Sequence, residues 1–136
     1  NASLLNVAGA QDAQRVVGLT LTLDQWAANQ AVAPDFIKCD VEGAELLVMR
    51  GGRSTLAQHQ PIVFAELLRK WSKPFGYHPN DMLAFFAELG YQCFAVGEAG
   101  VRRIAEVTDE TPETNYAFVH GQKHADTIQR LTTLAG

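Results

Sequence analysis

Three carboxylates, Asp40, Glu42 and Glu45, fall within six positions of the stretch IKCDVEGAEL, directly behind an apolar run. A fourth, Glu66, ends a second apolar run, PIVFAEL. Carboxylates at the ends of buried strands suit three kinds of chemistry: taking a proton from a hydroxyl, offsetting a cationic centre, or holding a divalent cation through oxygen. Asp40 has the strongest case, because a carboxylate between Cys39 and Val41 is desolvated at a cost unless a partner or ligand compensates. Glu42 and Glu45 also have a simpler reading, since acidic side chains in a first helical turn are favoured by the helix dipole by about 0.3–1 kcal/mol each. For Glu66 the simpler reading is a solvated strand end paired with Arg69 or Lys70. Nucleophilic catalysis has no support. Ser54 and Ser72 lack the Gly-x-Ser-x-Gly context, and neither Cys39 nor Cys93 has a histidine near it in sequence. His59, His120 and His124 show no ligand spacing.

The elements that must position these acids follow from pattern. After Pro34, DFIKCDV (35–41) reads as a short strand, Gly43 allows a sharp turn, and AELLVMR reads as an amphipathic helix with Ala44, Leu47 and Val48 on its inner face. Gly51 and Gly52 stop it, RSTLAQH adds a further helical turn or two, and PIVFAEL (61–67) is a second buried strand. Strand, helix, strand at these lengths is a βαβ crossover, so the two strands are expected to be parallel. Ligands of open α/β sheets bind beyond the carboxyl ends of the strands, which places Asp40 and Glu66 at one crevice.

Upstream, VVGLTL (16–21) has the β-branched content of a short strand, and Thr22 with Gln25 has the spacing of a capping box that starts a helix to about Asn29, anchored by Trp26. Downstream, RKWSKPFGYH (69–78) reads as a loop across the same rim, with Trp71, Tyr77 and His78 as candidate substrate-facing side chains. Pro79 and Gly90 bracket a helix with Met82, Leu83 and Phe86 on one face. YQCFAV (91–96) is a third strand, VRRI (101–104) its hairpin partner and NYAFVH (115–120) the last strand. In the tail, Ala125, Ile128 and Leu131 stand at helical spacing.

With 136 residues, 47% of them hydrophobic and 19% charged, the composition is that of one globular domain. Eleven basic against fifteen acidic residues, a net charge of −4, give no electrostatic reason to expect nucleic acid or an anionic membrane as partner. No apolar run approaches the roughly 18–20 residues of a membrane span. Two cysteines inside apolar runs point to buried thiols, a reducing compartment and a cytoplasmic location. The first residue is Asn1, and the chain reads as part of something longer.

TLDQW (22–26), DFIKCDVEGAELLVMRGGRSTLAQHQPIVFAEL (35–67), LGYQCF (89–94) and NYAFV (115–119) resemble the C-terminal half of the FkbM family of S-adenosylmethionine-dependent methyltransferases. The most specific piece runs from Phe36 to Glu45, with Arg50 and Gly51 behind it; Cys39 stands where the family usually has an aliphatic residue. The resemblance implies an α/β fold, the C-terminal half of a Rossmann-like class I methyltransferase, with a mostly parallel sheet ending in an antiparallel strand pair. It implies S-adenosylmethionine as cofactor and O-methylation of a small-molecule hydroxyl acceptor: a sugar, polyketide or related metabolite. It carries Asp40, Glu42 and Glu66 as candidate catalytic residues, with Asp40 and Val41 beside the cofactor. If a divalent metal is used, Asp40 and Glu66 would hold it, and oxygen ligands suit magnesium. A homo-oligomer is compatible with this reading.

The family's Gly-rich turn and its ribose-binding acid have no counterpart here, since NVAGAQ (6–11) holds one glycine. Residues 1–136 are therefore expected to be the C-terminal part of a methyltransferase domain, lacking the N-terminal part of the cofactor cradle. The alternative is a catalytically silent α/β module for binding or dimerisation. A phospho-acceptor domain would need more acids near the N-terminus, where residues 1–21 hold only Asp12.

Overall fold

In the computed structural model, which describes residues 4, 5, 9, 11, 12, 14 and 16–134, the capping box is formed as read. The Gln25 amide donates to Thr22 Oγ1 and the Thr22 amide to Gln25 Oε1, each at 3.1 Å, and α1 (Leu23–Gln30) follows. Trp26, expected to anchor this helix, is 45% exposed; Ala27 is the residue that α1 buries. Residues 16–21 form no strand. Val17 and Leu19 are fully exposed, and β-branched content makes a strand only where a neighbouring strand pairs with it and a face is buried.

The βαβ unit is present. β1 (Phe36–Cys39) and β2 (Ile62–Glu66) pair in parallel, with Phe36 beside Ile62 and Cys39 beside Ala65. Between them lie α2 (Glu45–Arg50) and α3 (Arg53–His59). The buried stripe of α2 differs from the one expected: Glu45, Leu46 and Met49 are buried with Ala44, whereas Leu47 is 46% exposed. Leu46 and Met49, three apart, define the inner face, and Glu45 joins them because its carboxylate is hydrogen-bonded there.

After β2 come α4 (Arg69–Ser72), a 3₁₀ turn at Lys73–Phe75 and α5 (Pro79–Glu88), so the loop expected at 69–78 is partly helical. Met82, Leu83 and Phe86 are buried as expected. β3 (Tyr91–Gly97) and β4 (Gly100–Ile104) form a hairpin, β5 (Asn115–His120) returns to the sheet, and α6 (Ala125–Leu134) lies against β4 and β5. In α6, Ile128 and Leu131 are half-buried and Ala125 is exposed.

The strand order is β1-β2-β5-β3-β4, with one parallel pairing and three antiparallel ones. The expected mostly parallel sheet is thus corrected to a mixed one. β1, β2 and β3 do run in one direction, but β5 enters between β2 and β3 in the opposite sense, so two antiparallel ladders replace a parallel contact. One face of the sheet carries Cys39, Val63, Ala65, Cys93, Tyr116 and Phe118 onto Leu46, Met49, Leu56, Met82 and Phe86. Phe86 stacks on Phe118 with ring centroids 4.1 Å apart and meets Tyr91 edge-on at 5.0 Å. Both cysteines are buried free thiols. Among the described residues no helix is long and apolar enough to cross a membrane.

Candidate functional site

β1 ends at Cys39, and Asp40 follows it at the carboxyl end of the strand. Among the described residues β1 is an edge strand, not a central one. The turn into α2 passes through Glu42 and Gly43, with φ of 54° and 101°. A left-handed glycine costs little, but the same region is uncommon for glutamate and persists only where the surroundings hold it. What holds it here is Glu45, 2% exposed, whose Oε1 accepts the amides of Val41 at 3.0 Å and Gly43 at 3.1 Å. The Tyr77 hydroxyl lies 3.1 Å from Glu45 Oε2 and 2.9 Å from the Gly43 carbonyl. Glu45 is therefore the organiser of the turn, a role that its first-turn position in the sequence does not disclose.

Asp40 is better solvated than its sequence neighbours imply. Its side chain is 40% exposed and accepts from Lys38 Nζ at 3.1 Å. The desolvation argument for Asp40 is thereby weakened, although an exposed pair of this kind is worth only about 0–1 kcal/mol and leaves the carboxylate free to exchange partners. The ion pair puts Lys38 and Asp40 on the same side of the sheet. Lys38 is the ladder partner of Phe64, so Glu66, two residues on, shares that side. The two carboxylates that the sequence singled out thus flank one stretch of the sheet's carboxyl edge. Glu66 is half-buried and does not pair with Arg69, which turns instead to the carbonyl of Thr108 and, at 3.5 Å, to Asp109. Its cross-strand partner is Asn115 at the start of β5, which extends the row. Sequence reasoning missed Asn115; its signal is its place as the first residue of the strand that returns beside β2.

The segment after β2 reaches the acid turn through Tyr77. Tyr77 turns its hydroxyl inward to the turn, while His78 is exposed and caps α5: its Nδ1 accepts the Asn80 amide at 3.2 Å and its own amide donates to Asp81 at 2.8 Å. The side chain of Trp71 lies outside the described residues. Val107, buried, is clasped by Asn80 through two hydrogen bonds of 2.7 and 3.1 Å, and Glu113 takes a two-pronged ion pair from Arg102 at 2.9 and 2.8 Å. These bonds pin the acidic connection before β5 to α5 and β4.

Burial first, then the charges of Glu45 and Asp40, push the Cys39 thiol up to about 12, with Lys38 opposing. A buried thiol held in its neutral form is a poor nucleophile. Among the described residues no three His, Cys, Asp or Glu side chains are grouped to hold a metal ion, so Asp40 and Glu66 would make a two-carboxylate site at most. Two cavities lie elsewhere: about 360 Å³ between α1 and α3, and about 470 Å³ between α5 and the β3–β4 hairpin. Neither is lined by Asp40 or Glu66.

The family model of the methyltransferase FkbM domain matches residues 2–93, from ahead of α1 to the middle of β3 and including the acid turn and Glu66. No curated protein and no solved structure matches the chain. With more than half of its 136 residues matched, the chain belongs to the FkbM methyltransferase family.

Proposed function

We propose that the protein transfers a methyl group from S-adenosylmethionine to a hydroxyl of a small acceptor such as a sugar, polyketide or related metabolite, on a Rossmann-like fold of which residues 1–136 are the C-terminal part. The observation that carries this reading is the family match over a strand, turn and helix that leave Asp40 and Glu66 on one side of the sheet's carboxyl edge. The cofactor supplies a methyl group on a cationic sulfur. An open, partly solvated edge lined by carboxylates fits a cation of that kind. Asp40, with the backbone at Val41, would lie beside the cofactor, and Glu42 belongs to the same turn. Asp40 or Glu66 would accept or orient the acceptor's hydroxyl proton, and the segment after β2 would align the acceptor, where orientation alone is worth several kcal/mol. Trp71, Tyr77 and His78 belong to that segment, and a magnesium ion between Asp40 and Glu66 is the variant of the reading that a chelator would expose. The two free buried thiols fit a cytoplasmic location.

The test is release of S-adenosylhomocysteine from S-adenosylmethionine by the full-length protein, against methyl glycosides and hydroxylated lactones. Turnover with at least one acceptor is expected. Binding of S-adenosylmethionine with no transfer to any hydroxyl would overturn the O-methylation part, and no binding would overturn the whole. Calorimetry on residues 1–136 is expected to show weak binding beside the full-length protein, since each missing charge-assisted hydrogen bond removes about 1.5–3 kcal/mol.

A second reading, a silent module for binding or dimerisation, is favoured by one observation: the outer edge of β1 is unpaired among the described residues, and Phe36 on it is 60% exposed. Sedimentation showing a stable dimer of a protein that binds no cofactor would select it.

A further inference from the structure

Glu45 and Tyr77, 32 residues apart in the chain, meet behind the acid turn. Both oxygens of Glu45 are used: Oε1 by the amides of Val41 and Gly43, Oε2 by the Tyr77 hydroxyl. The residue capping α2, Ala44, offers no side-chain hydrogen bond, and Glu45, the first helical residue, reaches back to the amides of the turn that precedes the helix. Tyr77 reaches the turn a second way, through the Gly43 carbonyl. Burial first, then the Glu45 charge, push the Tyr77 phenol well above its ordinary value, which keeps it a hydroxyl donor. A helix-dipole role alone would leave Glu45 exposed and indifferent to Tyr77; a carboxylate 2% exposed and bonded to three donors is a different object.

We infer that Glu45 and Tyr77 are positioning residues of the methyl-transfer site, a latch through which the segment after β2 holds Asp40 and Glu42 in place. The inference rests on the methyltransferase reading and adds two residues to it. The latch works by hydrogen-bond geometry rather than by charge. A glutamine at 45 preserves every bond: its oxygen accepts the two backbone amides and its nitrogen donates to the Tyr77 oxygen, whose proton turns to the Gly43 carbonyl. Alanine at 45, or phenylalanine at 77, removes bonds without replacement.

The experiment uses the full-length protein with Tyr77→Phe, Glu45→Gln and Glu45→Ala, in two arms. Amide hydrogen exchange at Val41 and Gly43, measured without substrate, should quicken at least several-fold in Tyr77→Phe and Glu45→Ala, stay near wild type in Glu45→Gln, and be unchanged at Cys93 and Phe118 in all three. In the second arm, S-adenosylhomocysteine release with methyl α-glucoside as the hydroxyl probe should fall in kcat by about tenfold or more for Tyr77→Phe, since misplacement by about 1 Å can cost a hundredfold. KM for S-adenosylmethionine should move far less, and Glu45→Gln should retain most of the rate. A purely structural role would lower thermal stability without this split or this rescue. Unchanged exchange in Tyr77→Phe overturns the latch, whatever the activity. Quickened exchange with full kcat overturns the positioning role. A wild-type protein that transfers no methyl group overturns the reading beneath the inference, and the exchange arm still decides whether the latch exists.

Discussion

Asp24, in the first turn of α1, accepts from both the amide and the hydroxyl of Thr55, at 2.8 and 2.7 Å, across 31 residues of chain. Its second oxygen takes the Ser54 amide at 3.1 Å. Gly52, at the cap of α3, has no side chain to offer, so Asp24 caps α3 from the neighbouring helix. Asp24→Ala is expected to cost about 1–2 kcal/mol, the usual loss of a cap, read as a lower midpoint in urea unfolding. Burial alone would raise the Asp24 carboxyl, but the bonds from Thr55 and Ser54 outweigh it and the net shift is downward from 3.8. A lowered folded value stabilises above pH 3.8 and is lost as pH falls below it, so Asp24→Ala should flatten the acid limb of the stability curve.

Asp40→Asn is expected to lower methyl transfer by about 10²- to 10⁴-fold, the usual worth of a positioned acid or base, with thermal stability nearly unchanged. The second half follows from geometry, because the ion pair given up among the described residues is the exposed one to Lys38. A large fall in melting temperature would mean that Asp40 supports the fold instead.

Glu66→Gln is expected to lower kcat at least tenfold and to leave folding intact, since Glu66 is a half-buried residue at the last position of β2. The same protein assayed with a chelator separates the two roles. Loss in both experiments points to a shared cation, and loss in the substitution alone points to direct handling of the acceptor's proton. Full activity in both would remove Glu66 from the site.

The His120 ring is buried on the edge of Tyr91, with centroids 5.2 Å apart, and its Nδ1 accepts the Lys123 amide at 3.2 Å. Burial first, then the charges of His124 and Lys123, lower its pKa below the ordinary 6.5, against a bond to Leu89 that works the other way. Between the folded value and 6.5 the unfolded chain binds more protons, so this contribution is complete above pH 6.5 and is lost as pH falls. Urea unfolding at pH 7.5 and pH 5 should therefore show a less stable protein at pH 5, and His120→Asn should reduce that difference.

Gly90, at φ 83°, lies against the same ring: a Cβ there would stand 3.0 Å from His120 Nε2. Gly90→Ala combines a left-handed backbone with a contact that the buried ring cannot relieve cheaply, and about 1–3 kcal/mol of destabilisation is expected. Denaturant unfolding at neutral pH checks it.

The sequence by itself determined what depends on neighbours along the chain. The capping box at Thr22, the turn at Gly43, the βαβ order and the bracketing of α5 by Pro79 and Gly90 are local, because caps, left-handed glycines and helix stops act over three or four residues. The acids at the ends of β1 and β2 were legible for the same reason, since an apolar run followed by a carboxylate marks a strand end directly.

Only the tertiary structure decided what depends on a partner distant in sequence. The β-branched run at 16–21 forms no strand, because no strand pairs with it among the described residues. β5 slots between β2 and β3 and makes the sheet mixed, a choice of neighbour that no periodicity encodes. Leu47 faces outward and Glu45 inward because a tyrosine 32 residues away and two backbone amides satisfy the carboxylate, so burial there follows hydrogen bonding rather than hydrophobicity. Asn115 joins Glu66 by strand register alone. Where a contact decides, it reaches a partner distant in the chain, and the side chains it brings together carry no mark of each other in the sequence.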